Sequence, residues 1–585
     1  MIESERTEGL PRRFASRFAL PAPAVMAKIA PAREEYVFLL LSIFIGIISG
    51  LLVVSFRMAI EWLNVLLLGS APGRGQVRLI VAPAAAGIVT AILARWVFPN
   101  VRGSGVNQTK AALYIHNGYI SFRTMVGKFV LSALAIGGGH SLGPEDPSLQ
   151  IGAGVASLIS RKIGLSRDKL RVFAPVGAAA GLAAAFNAPI SAILFVIEEV
   201  IGTWSSAVLG SIVLSAISSV VVARWFWGAE PMFRIPTVTL RDPRELMAYA
   251  VLGVVGGVAS LLFAKALGYL RPKLRSMSAN AQMVQPALAG LLVGGIGYLG
   301  FPQVMGPGYG AIDQAMHAQF AWKLLLALAV LKIVATTLSF SSGTPGGMFA
   351  PTLFVGAMLG ATVGTLEKLS FPHLTGSIGS YALVGMGVLF AAFLRAPLTS
   401  VFMVMEVSGN YSIVLPVILA NTIAYLLARA LQPVPIFEIF THQDGLDLPS
   451  MEEQREENLL HLEDAIEPLT MPTFLGSATP AELLRAPSEE PLLVFLIRCR
   501  DLRWYAARRE EIEKLALETQ SSEDVAVEEL LNDERTPALY PDEPLDHTLP
   551  YFSRWPLLPV MKRSVRGALE GVVSFDGVLK RYQQH

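Results

Sequence analysis

Residues 143–153 read Gly143-Pro144-Glu145-Asp146-Pro147-Ser148-Leu149-Gln150-Ile151-Gly152-Ala153, two adjacent carboxylates among helix-breaking residues, set between long apolar stretches. Charge is costly in a segment buried in lipid, so an acid kept there has a use or a partner. The pattern returns without its acids at Gly347-Met348-Phe349-Ala350-Pro351-Thr352-Leu353-Phe354-Val355-Gly356-Ala357. Pro147 falls on Pro351 and Gly152 on Gly356, an offset of 204 residues (147 to 351). A second pair agrees: VGAAAGLAAAFNAPISAILFVIE at Val176–Glu198 lies over VGMGVLFAAFLRAPLTSVFMVME at Val384–Glu406, an offset of 208 (176 to 384). Coincident Gly and Pro in both pairs, with coincident Glu in the second, mark an internal repeat.

Composition says where such a repeat must live. At 585 residues, 53% hydrophobic and 16% charged, with mean hydropathy +0.51, the chain is too apolar for a soluble protein and is expected to be an all-α polytopic membrane protein. Lys+Arg 47 against Asp+Glu 46 leaves no bulk electrostatic case for nucleic acid. The single cysteine, Cys499, excludes an intrachain disulfide and is expected to be a buried residue of a soluble domain. No HExxH and no nucleophile with a base nearby is present, which disfavours an intramembrane enzyme and implies no metal and no cofactor. Residues 1–35 carry Arg12, Arg13, Arg17, Lys28 and Arg33 and lack an apolar core with a cleavage site, so they read as a cytoplasmic N-terminal segment.

From Tyr36 to about Leu68 an apolar run is broken only by Arg57 and Glu61, long enough to cross a core of about 30 Å with tilt. Leu79–Phe98 follows, and then Gly103-Ser104-Gly105-Val106-Asn107, too flexible and polar to continue a helix in lipid. The first membrane repeat is placed at residues 36–227, and the second, with a terminal helix, at 245–442; its spans include runs from Pro286, from Leu324 and from Met348. Short apolar pieces interrupted by Gly and Pro, paired across two halves, are the signature of a transporter with its site at the bilayer midplane. A regulator merely anchored in the membrane needs one span, not a broken repeat. Residues 443–468 are an acidic linker, and 469–585 a small α/β tail. The tail shows two strand-then-helix units, Leu492–Leu517 and Leu557–Tyr582.

An anion entering lipid needs substitutes for its water, because the ideal desolvation cost is on the order of 20 kcal/mol. Helix N-termini, equivalent to about half a positive charge, and free backbone N–H groups provide weaker donors than Lys or Arg. Gly346-Gly347-Met348-Phe349-Ala350-Pro351 has that form, with a helix expected to start at Met348, and Ser104 between two glycines adds a hydroxyl. Glu145 fits as a mobile carboxylate that fills an anion position when ionised and leaves when protonated. Competition of that kind couples anion movement to proton movement.

GSG at Gly103–Gly105, Gly-x-Glu-x-Pro at Gly143–Pro147, FNAPISAILFVIEE at Phe186–Glu199 and GGMFAP at Gly346–Pro351, in this order, resemble the CLC chloride channel and transporter family over about residues 36–442. The resemblance implies an inverted-repeat CLC-type fold and, as function, proton-coupled chloride antiport by a homodimer in the plasma (inner) membrane with both termini cytoplasmic. It implies that Ser104, Gly347 and the backbone of Met348 and Phe349 bind the central anion. It also implies that Glu145 is the external gating glutamate and Glu199 the inner proton-transfer glutamate. A passive voltage- or pH-gated chloride channel, or an exporter of another halide such as fluoride, stays open, with the acid at Glu199 favouring antiport. Three departures stand out. Pro144 replaces an arginine of the family pattern and removes both an N–H and a charge; Asp146 replaces a glycine and sets a second carboxylate beside Glu145, linking their protonation. Phe437 stands where a tyrosine hydroxyl helps to hold the anion, and cannot donate. The tail resembles a degenerate pair of CBS domains, through Gly571-Val572-Val573-Ser574-Phe575-Asp576-Gly577. Gly577 in place of the ribose-binding acid, and Tyr505 in place of a glycine, argue against adenine-nucleotide binding and for a structural or dimer-stabilising tail.

Overall fold

In lipid the backbone must bond to itself, which drives every long apolar run into helix. The computed structural model describes residues 31–70, 75–165, 167–202, 206–233, 242–373, 376–446, 448, 460–469, 471–486, 492–519, 525–531, 536–563 and 567–584. Residues 1–30 of the N-terminal segment 1–35, and residues 447 and 449–459 of the linker 443–468, lie outside these residues. The chain divides into a unit ending at Leu448 and a unit beginning at Pro449.

The first half of the membrane unit comprises α1 (Pro31–Leu68), α2 (Arg78–Trp96), α3 (Gly105–Tyr114), α4 (Phe122–Gly137), α5 (Glu145–Lys162), α6 (Arg167–Phe186), α7 (Pro189–Phe195), a π-helical turn at Val196–Ile201, and α8 (Ser206–Trp227). The second half comprises α9 (Glu245–Arg275), α10 (Ala279–Tyr298), α11 (Tyr309–Met316), α12 (Trp322–Ser341), α13 (Phe349–Ser370), α14 (Ile378–Leu394), α15 (Pro397–Ser408) and α16 (Val414–Leu431), with α17 (Ile436–Gln443) closing the unit. Among the described residues, seven helices are long and apolar enough to cross a membrane. The span expected from Pro286 starts instead at Ala279, where Ser278 caps the helix by accepting from Ala281 N, and the proline lies inside it. The helix expected from Met348 has that residue as its N-cap and starts at Phe349.

Residues equivalent by sequence meet in reciprocal pairs, which is how two repeats pack about a two-fold axis. Gly143 and Gly347, the first residues of the two matched stretches, exchange both backbone hydrogen bonds at 2.8 Å. Gly87 lies against the carbonyl of Pro286 and Gly290 against that of Pro83; a Cβ on either glycine would sit 2.3 Å from the oxygen. Glu198 caps α15 through Thr399 N (3.0 Å) and Thr399 Oγ1 (2.8 Å), and Glu406 caps α7 through Ile190 N (2.9 Å) and Ser191 N (2.7 Å). The glutamates that coincide in the repeat are thus N-terminal caps, each closing a helix of the opposite half.

Within each half, the glycines of the repeat let two helices cross at backbone contact. A Cβ on Gly177 would lie 2.2 Å from the carbonyl oxygen of Gly152, and one on Gly385 would lie 2.1 Å from that of Gly356. Neither backbone can retreat in a packed core. Gly385→Val is therefore expected to abolish recovery of monodisperse protein on size-exclusion chromatography after detergent extraction. Gly295→Ala, at a glycine with open space where the Cβ would go, is expected to leave recovery unchanged.

The second unit contains β1 (Thr473–Leu475), α18 (Pro480–Leu484), β2 (Val494–Arg498), β3 (Trp504–Arg508), α19 (Arg509–Glu518), α20 (Val527–Leu530), β4 (Leu557–Met561), β5 (Leu569–Ser574) and α21 (Phe575–Gln584). One sheet has the order β1-β2-β3, parallel then antiparallel, and the other is the antiparallel pair β4-β5. Each expected strand-then-helix unit is a hairpin followed by a helix, since a short strand needs a partner for its backbone. Tyr505 packs edge-on to Trp555 (5.0 Å between centroids) and donates to Glu511 (2.8 Å), and Cys499 is buried.

Candidate functional site

The site is assembled from helix starts. Gly103-Ser104-Gly105 opens α3, and its counterpart in the second half, Gly306-Pro307-Gly308, opens α11. Gly103 (φ +92°), Gly306 (+57°) and Gly308 (+87°) take left-handed conformations that side chains resist. A buried lysine holds each loop. Lys128 on α4 donates to the carbonyls of Val101 (3.2 Å) and Gly103 (2.8 Å), and Lys332 on α12 donates to those of Val304 (3.0 Å) and Gly306 (2.6 Å). The two lysines stand 204 residues apart, so the repeat offset carried a signal for them that the glycine and proline matches alone did not use.

Glu145 and Asp146 begin α5, beside the Gly143–Gly347 bridge, and both are fully buried. Their side chains serve different helices. Glu145 Oε1 accepts from the hydroxyl of Tyr309, the first residue of α11, while Oε2 has no side-chain partner among the described residues and the backbone of Ala350 acts on the carboxylate. That oxygen occupies room that exists because residue 143 is glycine, where a Cβ would lie 2.4 Å from it. Asp146 turns to α3. It accepts from Ser104 Oγ (3.0 Å to Oδ2) and from the amide of Val106 (2.8 Å to Oδ1).

The start of α13 is different. Met348, its N-cap, offers no side-chain bond, and the first amides of a helix have no carbonyl of their own to meet. Met348 and Phe349 are buried. The Phe349 ring is surrounded by Phe195 (4.9 Å), Phe390 (5.6 Å), Phe186 (6.2 Å) and Phe437 (6.4 Å). Phe437 itself contributes its carbonyl, which accepts from Asn107 Nδ2 of α3 at 2.9 Å. The expected anion-site residues Ser104, Gly347, Met348, Phe349 and Phe437 thus come together around the starts of α3, α13 and α17. Ser104 meets there a carboxylate of its own chain.

Glu199 lies on the π-helical turn and pairs with Lys110 of α3 at 2.6 Å, the two side chains being 5% and 4% exposed. Lys110 escaped notice in the sequence because a lysine on a short helix gives no sign of what it faces.

A cavity of about 700 Å³ is lined by Pro144, Tyr309, Gln303, Gln314, Arg57 and Glu61, among others, and so reaches the start of α5. The guanidinium of Arg57 lies 4.2 Å over the Trp227 ring and donates to the carbonyl of Ala185 (3.3 Å), within electrostatic reach of Glu145. The positive charge absent at Pro144 is present at this cavity on α1.

The family model described as voltage gated chloride channel matches residues 86–429. Two curated relatives are each 32% identical. The putative chloride channel protein ClcB-like of Ralstonia nicotianae aligns over 66% of this chain and 92% of its own length, and the H(+)/Cl(-) exchange transporter ClcA of Citrobacter koseri over 68% and 87%. Among solved structures, a slow cyanobacterial Cl−/H+ antiporter shares the fold with a TM-score of 0.63 at 23% identity, over 72% of this chain and 99% of that one. A eukaryotic CLC transporter matches at 0.60 and 20% identity, over 93% of this chain and 98% of that one.

Proposed function

This chain belongs to the voltage gated chloride channel (CLC) family, and from that premise we propose that it exchanges chloride for protons across the membrane. The observation that carries the proposal is Glu145, a fully buried acid at the junction of the two repeats whose Oε2 has no side-chain partner among the described residues. An anion arriving from the cavity lined by Pro144 and Tyr309 competes with that carboxylate for the positive ends of the facing helices. Once displaced, Glu145 takes a proton and returns neutral. The start of α13 holds the anion in the step between, through the amides of Met348 and Phe349, and Glu199 passes the proton on the inner side. Relatives at 32% identity named as H(+)/Cl(-) exchange transporters support the same reaction.

A passive chloride channel is the second reading, favoured by the tight pairing of Glu199 with Lys110, which opposes proton uptake at that acid. The protein acts as a homodimer in the plasma membrane with both termini cytoplasmic, and its tail serves a structural role. The ring of Tyr505, packed on Trp555 where the resemblance expects a glycine, supports that assignment of the tail.

Purified protein in liposomes with an outward chloride gradient and simultaneous pH recording tests the exchange. Protons are expected to move against their gradient, driven by chloride. Chloride flux with no proton movement would replace the exchanger by the channel.

A further inference from the structure

We propose that Asp146 is a second tethered anion of the transport site, one that chloride must displace to reach Ser104 and the start of α3. The inference rests on the reading of Ser104 as part of that site. Asp146 lies between the two glycine-rich motifs. A Cβ on Gly105 would sit 2.8 Å from its Oδ1, and a Cβ on Gly347 would sit 2.4 Å from its Cβ. Both glycines make room for this side chain. A serine hydroxyl has one proton to give, and that of Ser104 is directed at the Asp146 carboxylate (3.0 Å to Oδ2, 3.3 Å to Oδ1). The amide of Val106, at the positive end of α3, points to the same group. The buried ammonium of Lys128 acts on it through space. A chloride ion would use this same set of donors.

The two acids of α5 divide the work between the repeats. Val106 and Tyr309 are equivalent positions at the starts of α3 and α11, and Asp146 binds at one while Glu145 binds at the other. In the second repeat the counterparts of the acids are Phe349 and Ala350, so no carboxylate reaches back. One turn of α5 thus sets a carboxylate at the first residues of two helices, on an amide of α3 and on a phenol hydroxyl of α11.

Isothermal titration of the full-length protein with chloride distinguishes a competitor from a helix cap. Asp146→Asn keeps an oxygen for Val106 and Ser104 but loses the charge, whereas Asp146→Gly removes the group. Both are expected to bind chloride at least about tenfold tighter than wild type, since a competitor held by charge-assisted hydrogen bonds is lost. Adding Ser104→Ala to Asp146→Asn should give back most of the gain. Wild-type affinity in both single variants overturns the proposal, and if one variant does not fold the other decides. Should affinity stay unchanged while wild-type liposomes still exchange chloride for protons, Asp146 alone is misassigned. If wild-type liposomes move no chloride, the transport reading falls with it.

Discussion

Lys110→Met is expected to destabilise the membrane unit by about 3–5 kcal/mol, the usual consequence of removing one member of a buried ion pair. Lys110 and Glu199 meet at 2.6 Å with hardly any solvent contact, so the carboxylate would be left with neither water nor counter-charge. The double variant Lys110→Met/Glu199→Gln removes the charge that needed a partner and should recover most of the loss. Thermal unfolding of the four proteins in detergent forms a double-mutant cycle, and additive effects in it would contradict a direct interaction. The same residues give a transport result. Glu199→Gln is expected to retain chloride flux and lose chloride-driven proton movement, and if proton movement persists, Glu199 is not on the proton route.

The second large effect concerns Tyr309. Its hydroxyl is the one side-chain donor to Glu145 among the described residues. A hydrogen bond to a charged group is worth about 1.5–3 kcal/mol, or roughly 10- to 100-fold in the population of the seated carboxylate. If that carboxylate blocks the anion, Tyr309→Phe should raise chloride turnover by about tenfold at neutral pH. Unchanged turnover would mean that the seated state is held by something else. If Glu145 is the external gate, acidifying the outer side protonates it and removes the competing anion, so wild-type chloride flux should rise as pH falls. Glu145→Gln should be flat across the same range, measured as chloride efflux from liposomes at a series of external pH values.

Much of this is legible in the sequence. The matched stretches at residues 143–153 and 347–357 are bridged through their first glycines, and the coincident glutamates Glu198 and Glu406 cap each other's repeats. Gly, Pro and a helix-ending acid are constrained by backbone geometry, which is local and therefore readable. Side-chain partners were not. Asp146 was expected to act on its neighbour Glu145, but the first turn of a helix splays adjacent residues by about 100°, and each acid found a different helix. Arg57 sits mid-span in an apolar helix, and nothing in the sequence connects it with the cavity that Pro144 lines.

The sequence by itself determined that this is a two-repeat membrane protein whose candidate anion site lies at broken helix ends, because composition, glycine and proline act on the backbone where they stand. Only the tertiary structure decided which group answers which acid: Lys110 for Glu199, Tyr309 for Glu145, Ser104 and Val106 for Asp146. The physical reason is that a buried charge must be compensated within a few ångströms, and at that range the fold, not the order of residues, sets the neighbours.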